Sequence, residues 1–162
     1  VKALKDQGVY DNTIIIYTTD HGEHLFEHGL RGKHNMYEDA VNVPFIVSYP
    51  KLFKQNDVNH SLISFVDLMP TFAELINGNI PETAQGISLV DVFKNGAELK
   101  DRVVFSETGG LKGPWPSPEK HNVFCIRNKE KKLIYNDTPQ TWEFYDLKND
   151  PNELNNIYYE NS

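Results

Sequence analysis

The chain has 162 residues, with 16 Lys and Arg against 23 Asp and Glu and a net charge of −7; this size suits one domain, or one and a small appendage, and the charge lacks the bulk positive field of a nucleic-acid binder. Its 39% hydrophobic and 24% charged content disfavours disorder, and no apolar run approaches the roughly 18 residues of a membrane helix. The single Cys125 excludes an internal disulfide framework and a Cys-rich zinc module, whereas four of six histidines (His21, His24, His28 and His34) crowd into one stretch.

In chain order, Val1 to Gln7 reads as the last turns of a helix, with Gly8 as a left-handed cap. The chain starts without Met and without an apolar signal core, so this N-terminus is expected to be a cut. Thr13 to Thr18 is a strand whose consecutive apolar residues predict burial on both faces of a helix-covered sheet. Helix, turn and buried strand make half of an α/β crossover unit. Val43 to Val47 is a second buried strand. Ser64 is an N-cap with Asp67 three residues on, and apolar residues at 65, 68, 72, 75 and 76 predict a helix, with Pro70 marking a kink or a later start. Leu89 to Phe93 is a short helix. From about residue 100 the texture changes. Val103–Ser106, His121–Arg127, Lys132–Tyr135 and Thr141–Tyr145 are short β segments, the last three suited to an antiparallel meander. A Gly- and Pro-rich loop spans 109–118. Asp150-Pro151 opens a short terminal helix. The expected organisation is an α/β portion over 1–100 and a small α+β portion over 101–162.

The chemistry concentrates in Thr18-Thr19-Asp20-His21-Gly22-Glu23-His24-Leu25-Phe26-Glu27-His28-Gly29-Leu30-Arg31-Gly32-Lys33-His34-Asn35-Met36-Tyr37-Glu38. It begins where the first strand ends, the end at which open α/β sheets bind ligands. Asp20 and His21 can present one oxygen and one nitrogen to a metal, and Gly22 lets the backbone turn sharply beside them. A carboxylate-rich site takes Ca²⁺, Mg²⁺ or Mn²⁺, and imidazole moves the balance toward Mn²⁺ or Zn²⁺. Two residues do not close a site, so further ligands must come from elsewhere. Lys33, if folded back toward Asp20, would bind an anionic group and stabilise charge during its transfer. One competing pattern is present: His24-Leu25-Phe26-Glu27-His28 matches H-x-x-E-H, which needs a helix to bring both imidazoles to one face. Gly22, Gly29 and Gly32 around it argue against a long helix.

Taken together these residues resemble the sulfatases of the alkaline-phosphatase-like superfamily. The resemblance is carried by Asp11-Asn12-Thr13-Ile14-Ile15-Ile16-Tyr17-Thr18-Thr19-Asp20-His21-Gly22, Glu27-His28-Gly29, Gly32-Lys33, Tyr37-Glu38 and Val43-Pro44-Phe45-Ile46. It continues through Val66-Asp67-Leu68-Met69-Pro70-Thr71, Gly86-Ile87-Ser88-Leu89 and the run from Glu143 to Glu153, and so covers nearly the whole chain. It implies an alkaline-phosphatase-like mixed sheet flanked by helices, then a small antiparallel sheet with a terminal helix. It implies that Asp20 and His21 are metal ligands, and that Lys33 contacts sulfate. His34, Arg31 and His28 are weaker substrate-binding candidates. Tyr37, Glu38 and Pro44 are expected to shape the loop and strand. The implied metal is a divalent ion, calcium first, with magnesium and manganese as alternatives. The implied partner is a sulfated small molecule or glycan, with no nucleic acid and no membrane span. Trp115, Trp142 and His121 are candidates for a glycan or aryl pocket, and the tryptophans serve equally as core or strand-pair residues.

The chain departs from the family in two respects. Members carry a Cys or Ser in a C/S-x-P-x-R pattern, converted to a formylglycine nucleophile, and two acidic ligands on a first strand. Neither is present: Cys125-Ile126-Arg127 lacks the Pro, and Ser48-Tyr49-Pro50-Lys51-Leu52 ends in Leu. The expectation is therefore the C-terminal half of a sulfatase, inactive alone because the covalent route lacks its nucleophile. The alternatives are a phosphoester or phosphonate hydrolase of the same superfamily and a non-catalytic binding or structural module. One cysteine does not fix a compartment; the resemblance favours a periplasmic or secreted setting.

Overall fold

The computed structural model describes residues 1–109 and 122–160. The chain forms two compact units, one of Val1–Thr18 with Pro44–Lys100, the other of Thr19–Val43 with Asp101–Ser162. The segment 19–43 thus groups with the residues from 101 on. Among the described residues no helix is long and apolar enough to cross a membrane.

In the first unit, α1 (Lys2–Asp6) ends before Gly8, which takes φ +70°. β1 (Ile15–Thr18) pairs antiparallel with β2 (Phe45–Ser48), Tyr17 facing Ile46 and Ile16 facing Val47. Burial on both faces is not met within this chain, because Tyr17 is 64% and Ile46 61% exposed. The pairing is a two-stranded antiparallel ribbon, and alternation leaves one of its faces to these two residues. After a short 3-10 turn at Phe65–Asp67 comes α3 (Leu68–Leu75). Pro70 therefore lies in the first turn, where its missing N–H has no intrahelical partner to lose. The buried Asp67 carboxylate accepts the Ser64 N–H at 2.7 Å and the Ile87 N–H at 3.0 Å. The Thr71 hydroxyl donates to the Asp67 carbonyl at 2.6 Å and accepts the Leu89 N–H at 2.9 Å. Gly86 has no room for a side chain: a Cβ there would lie 2.1 Å from the Val66 carbonyl oxygen. The blocks at 66–71 and 86–89 thus form one packing joint. α4 (Val90–Asn95) follows, and Phe53, Leu89 and Val92 are buried, with the Phe53 and Phe93 rings 5.2 Å apart.

The second unit is built on a four-stranded antiparallel meander in the order β3 (Val104–Thr108), β4 (Val123–Arg127), β5 (Lys131–Asn136) and β6 (Thr141–Asp146). Its core face carries Val123, Cys125, Ile134 and Tyr145, joined by Leu147 and by Met36 from the segment 19–43. The pleat puts aromatic residues on the opposite face, where Trp142 lies 4.5 Å from Tyr135 and 5.7 Å from Tyr158. Trp142 is therefore a strand-pair residue, whereas Trp115 and His121 lie outside the described residues. The helix expected from Asp150-Pro151 does not form. Asp150 instead accepts the N–H groups of Leu154 and Asn155 at 3.1 and 2.8 Å. Glu153 takes φ +54°, which breaks helical geometry, and only a 3-10 turn at Tyr158–Glu160 follows.

Candidate functional site

The turn after Thr18 is set by Gly22. Its N–H donates to the Ala40 carbonyl at 2.8 Å, and an added Cβ would lie 1.8 Å from the Asp39 carbonyl oxygen. This close approach joins the start of the loop to α2 (Glu38–Val41) and leaves Asp20 and His21 just outside the joint. The Asp20 side chain is 83% exposed and that of His21 37%. Thr19 supports the turn, its hydroxyl lying 3.3 Å from Asp20 Oδ1 and donating to the His21 carbonyl at 3.1 Å.

The two candidate ligands converge. His21 Nδ1 lies 2.8 Å from the Gly22 carbonyl, an acceptor, so Nδ1 carries the proton. In the neutral ring Nε2 then holds a lone pair, and it lies 3.5 Å from Asp20 Oδ1. Two acceptors facing each other at that distance call for a positive centre, which a proton on Nε2 or a shared cation supplies. Commitment of the other ring nitrogen to a carbonyl is also the usual way a ligating imidazole is oriented. In donor type and orientation, Asp20 and His21 therefore fit a divalent ion. They fit it as a partial set, since the described residues contain no cluster of three or more His, Cys, Asp and Glu placed to hold a metal.

Beyond Gly22 the loop is tightly folded. Leu25, Phe26 and His28 take φ of 46°, 80° and 53°. His28 falls in a 3-10 turn at Glu27–Gly29, so no α-helix carries the H-x-x-E-H pattern. Its ring stacks on Tyr37 at 4.2 Å and 11°. Arg31 lies over the Phe26 ring at 4.6 Å. Lys33 and His34 are exposed, and their side chains enter no hydrogen bond or ion pair among the described residues. The structure thus joins Asp20 with His21, His28 with Tyr37, and Arg31 with Phe26. It gives Lys33 no bond to Asp20.

A group of residues not singled out as functional from sequence secures this loop to the sheet. Lys132 is fully buried, with Nζ 2.6 Å from Glu38 Oε1, 2.6 Å from Glu153 Oε1 and 2.9 Å from the Met36 carbonyl. Arg127 forks onto the same Glu38 carboxylate, and the Glu38 N–H donates to Glu153 Oε2 at 2.7 Å. Burial pushes the Glu38 carboxyl up, but Lys132 and then Arg127 outweigh it and hold it below the ordinary range. The neighbouring Tyr37 hydroxyl donates to Glu143 Oε2 at 2.7 Å, as does the Tyr145 hydroxyl. Burial first, then this bond, pushes Tyr37 up to about 12. Tyr37, Glu38, Glu143 and Glu153 stand in the sequence blocks that carry the resemblance, whereas Arg127 and Lys132 stand in none of them. Cys125 is buried and its thiol pushed up to about 11 by burial, which leaves it inert as a nucleophile.

Comparison with known proteins agrees with this architecture. Residues 26–162 match the family described as N-sulphoglucosamine sulphohydrolase, C-terminal. An N-acetylglucosamine-6-O-sulfatase of Bacteroides thetaiotaomicron is 38% identical over 96% of this chain and 28% of its own length. Arylsulfatase K of Bos taurus is 32% identical over 97% of this chain and 29% of its own. The chain therefore spans less than a third of the length of these relatives. A protein solved in complex with its substrate D-glucosamine-2-N,6-O-disulfate superposes with a TM-score of 0.86 at 34% identity, over 97% of this chain and 32% of that one. A phosphonate monoester hydrolase from Silicibacter pomeroyi superposes with a TM-score of 0.85 at 27% identity, over 98% and 33%. With the family match running from residue 26 through the four-stranded sheet, and a sulfatase 38% identical over 96% of the chain, this chain belongs to the sulfatases, and to the N-sulphoglucosamine sulphohydrolase C-terminal family among them.

Proposed function

We propose that this chain supplies one half of the metal site, and the anion-binding lysine, of a sulfatase that hydrolyses sulfate esters of a small molecule or glycan. The observation that carries the reading is the pair Asp20 and His21, whose acceptor atoms face each other at 3.5 Å with the far imidazole nitrogen committed to Gly22. These two residues would hold a divalent ion, calcium first and magnesium or manganese as alternatives. When bound, such an ion polarises a sulfuryl oxygen and offsets charge that develops in transfer. Lys33 adds a compact, exposed positive charge that binds sulfate oxygens and steadies the leaving oxygen. His34, Arg31 and His28 lie in the same loop and would contact the rest of the substrate. The nucleophile, expected to be formylglycine, and two further acidic ligands are expected to come from outside these 162 residues, so the isolated chain is expected to be inactive.

Calorimetric titration of the chain with CaCl₂ and MnCl₂ tests the ligand assignment. Binding is expected to be weak, since two protein ligands leave most of the coordination shell to water. It should disappear in Asp20→Ala and His21→Ala. Equal heats in both variants and the unmutated chain would remove the pair from the metal site.

A second reading, a phosphonate or phosphate ester hydrolase, is favoured by the likeness to the phosphonate monoester hydrolase structure. Metal and lysine serve sulfuryl and phosphoryl groups alike, so the identity of the nucleophile separates the two.

A further inference from the structure

One imidazole in the loop is left unused by the proposed chemistry and yet is almost wholly buried. His24 is 1% exposed, while Glu23, Leu25 and Phe26 around it are exposed. A buried polar ring needs partners. Its Nε2 lies 2.7 Å from Asn35 Oδ1, a carbonyl-type acceptor, so Nε2 carries the proton and donates. The same Asn35 oxygen accepts the Tyr37 N–H at 3.3 Å. His24 also acts through its backbone, the N–H donating to the Gly32 carbonyl at 3.0 Å. The Gly32 N–H in turn donates to Glu23 Oε1 at 2.6 Å. Edge contacts with the rings of His28 at 6.3 Å and Tyr37 at 6.0 Å enclose the imidazole, and its buried Nδ1 makes no hydrogen bond among the described residues, Asp39 Oδ2 lying 3.8 Å away. The segment Gly32–Asn35 is therefore fastened at both ends to Glu23–His24. Between the two fastenings stand Lys33 and His34, whose side chains are exposed and uncommitted among the described residues.

We infer that His24 is a positioning residue: its Nε2–H bond to Asn35 holds the Gly32–Asn35 turn in the shape that presents Lys33 to a sulfate-type oxyanion, with His34 beside it. Among the described residues, the one hydrogen bond that the buried His24 ring makes is to the turn that carries the candidate anion-binding lysine. The inference rests on the anion-binding role of Lys33 proposed above, but the fastening itself can be read without any ligand.

The test uses the 162-residue chain and three variants. His24→Leu removes the donor at similar volume, His24→Gln keeps an amide donor near the Nε2 position, and Asn35→Ala breaks the bond from the other side. Two readouts are taken: amide hydrogen exchange at Gly32 and Tyr37, and the NMR shift response of Lys33 and His34 to inorganic sulfate. In His24→Leu both amides should exchange about tenfold faster and sulfate should bind about tenfold more weakly, as for one lost hydrogen bond to a buried group. His24→Gln should restore both, with exchange in Val123–Arg127 and Lys131–Asn136 unchanged. If His24→Leu also loosens those strands, Asn35→Ala carries the test, with the same two changes expected. Wild-type sulfate affinity in a folded His24→Leu or Asn35→Ala, or failure of His24→Gln to rescue, overturns the inference alone. No sulfate response at Lys33 in the unmutated chain overturns the anion-site reading and the inference with it.

Discussion

Gly22 and Glu38 are the two residues on which the loop's attachment depends most directly. A side chain at Gly22 would occupy the Asp39 carbonyl, 1.8 Å away. In Gly22→Ala the loop must leave α2, and the Gly22 N–H loses its bond to Ala40. The expected result is loss of divalent binding together with about 1–3 kcal/mol of stability, the ordinary size of such backbone strain. Calorimetry and urea denaturation on the same sample check both. Glu38 gives a pH-dependent expectation. Lys132 and Arg127 hold its carboxyl below the ordinary range despite burial. A lowered folded-state value stabilises the protein above the unfolded value of about 4.3 and is lost as pH falls through the lower folded value. Urea denaturation stepped from pH 6 to pH 3 should therefore show a flatter acid limb in Glu38→Gln than in the unmutated chain. Identical slopes would mean that the ion pairs with Lys132 and Arg127 contribute no pH-dependent stability.

Among the elements, β5 carries the least expected residue. Alternation along Lys131–Asn136 puts Lys132 on the core face beside Ile134, where a strand pattern normally places an apolar side chain. It is tolerated there because Glu38, Glu153 and the Met36 carbonyl surround its ammonium group. Lys132→Met would leave two carboxylates facing each other in a buried site, and a cost of about 3–5 kcal/mol is expected in chemical denaturation. A variant as stable as the unmutated chain would show that the pair is replaceable by packing. The strands themselves were legible, because β-rich segments separated by turns carry their own local signal. Ser64 and Asp67 form the expected capping box, but on the 3-10 turn at Phe65–Asp67, and α3 starts later, at Leu68. The terminal helix was misread because Asp150-Pro151 is a good helix start only if the next residues stay helical. Glu153 is instead drawn toward Lys132 and the Glu38 N–H, with positive φ, and that tertiary demand outweighs a local cap. Within these residues β1 is covered on one side only, Tyr17 being 64% exposed: a run of apolar residues reports what a strand tolerates, not what covers it.

At the scale of the whole molecule, the chain is two units, and it covers less than a third of its sulfatase relatives. The candidate ligands Asp20 and His21 were legible because a strand end, an acid, an imidazole and a glycine stand in sequence. The support beneath them was not. Tyr37 meets Glu143, and Glu38 meets Lys132 and Glu153, across about a hundred residues, and no local pattern encodes such a pairing. His24 stood in the sequence as one of four clustered histidines, and only its burial and its bond to Asn35 separate it from the others. We propose that this chain brings metal-binding and sulfate-binding groups to a sulfatase active site. The most direct measurement is steady-state turnover of an aryl sulfate by the catalytic unit that joins this chain to its nucleophile, with and without Lys33→Ala. Lys33→Ala is expected to lower kcat by about 10²-fold, the typical effect of removing one electrostatic contact to the transition state. Unchanged kcat and KM would contradict it.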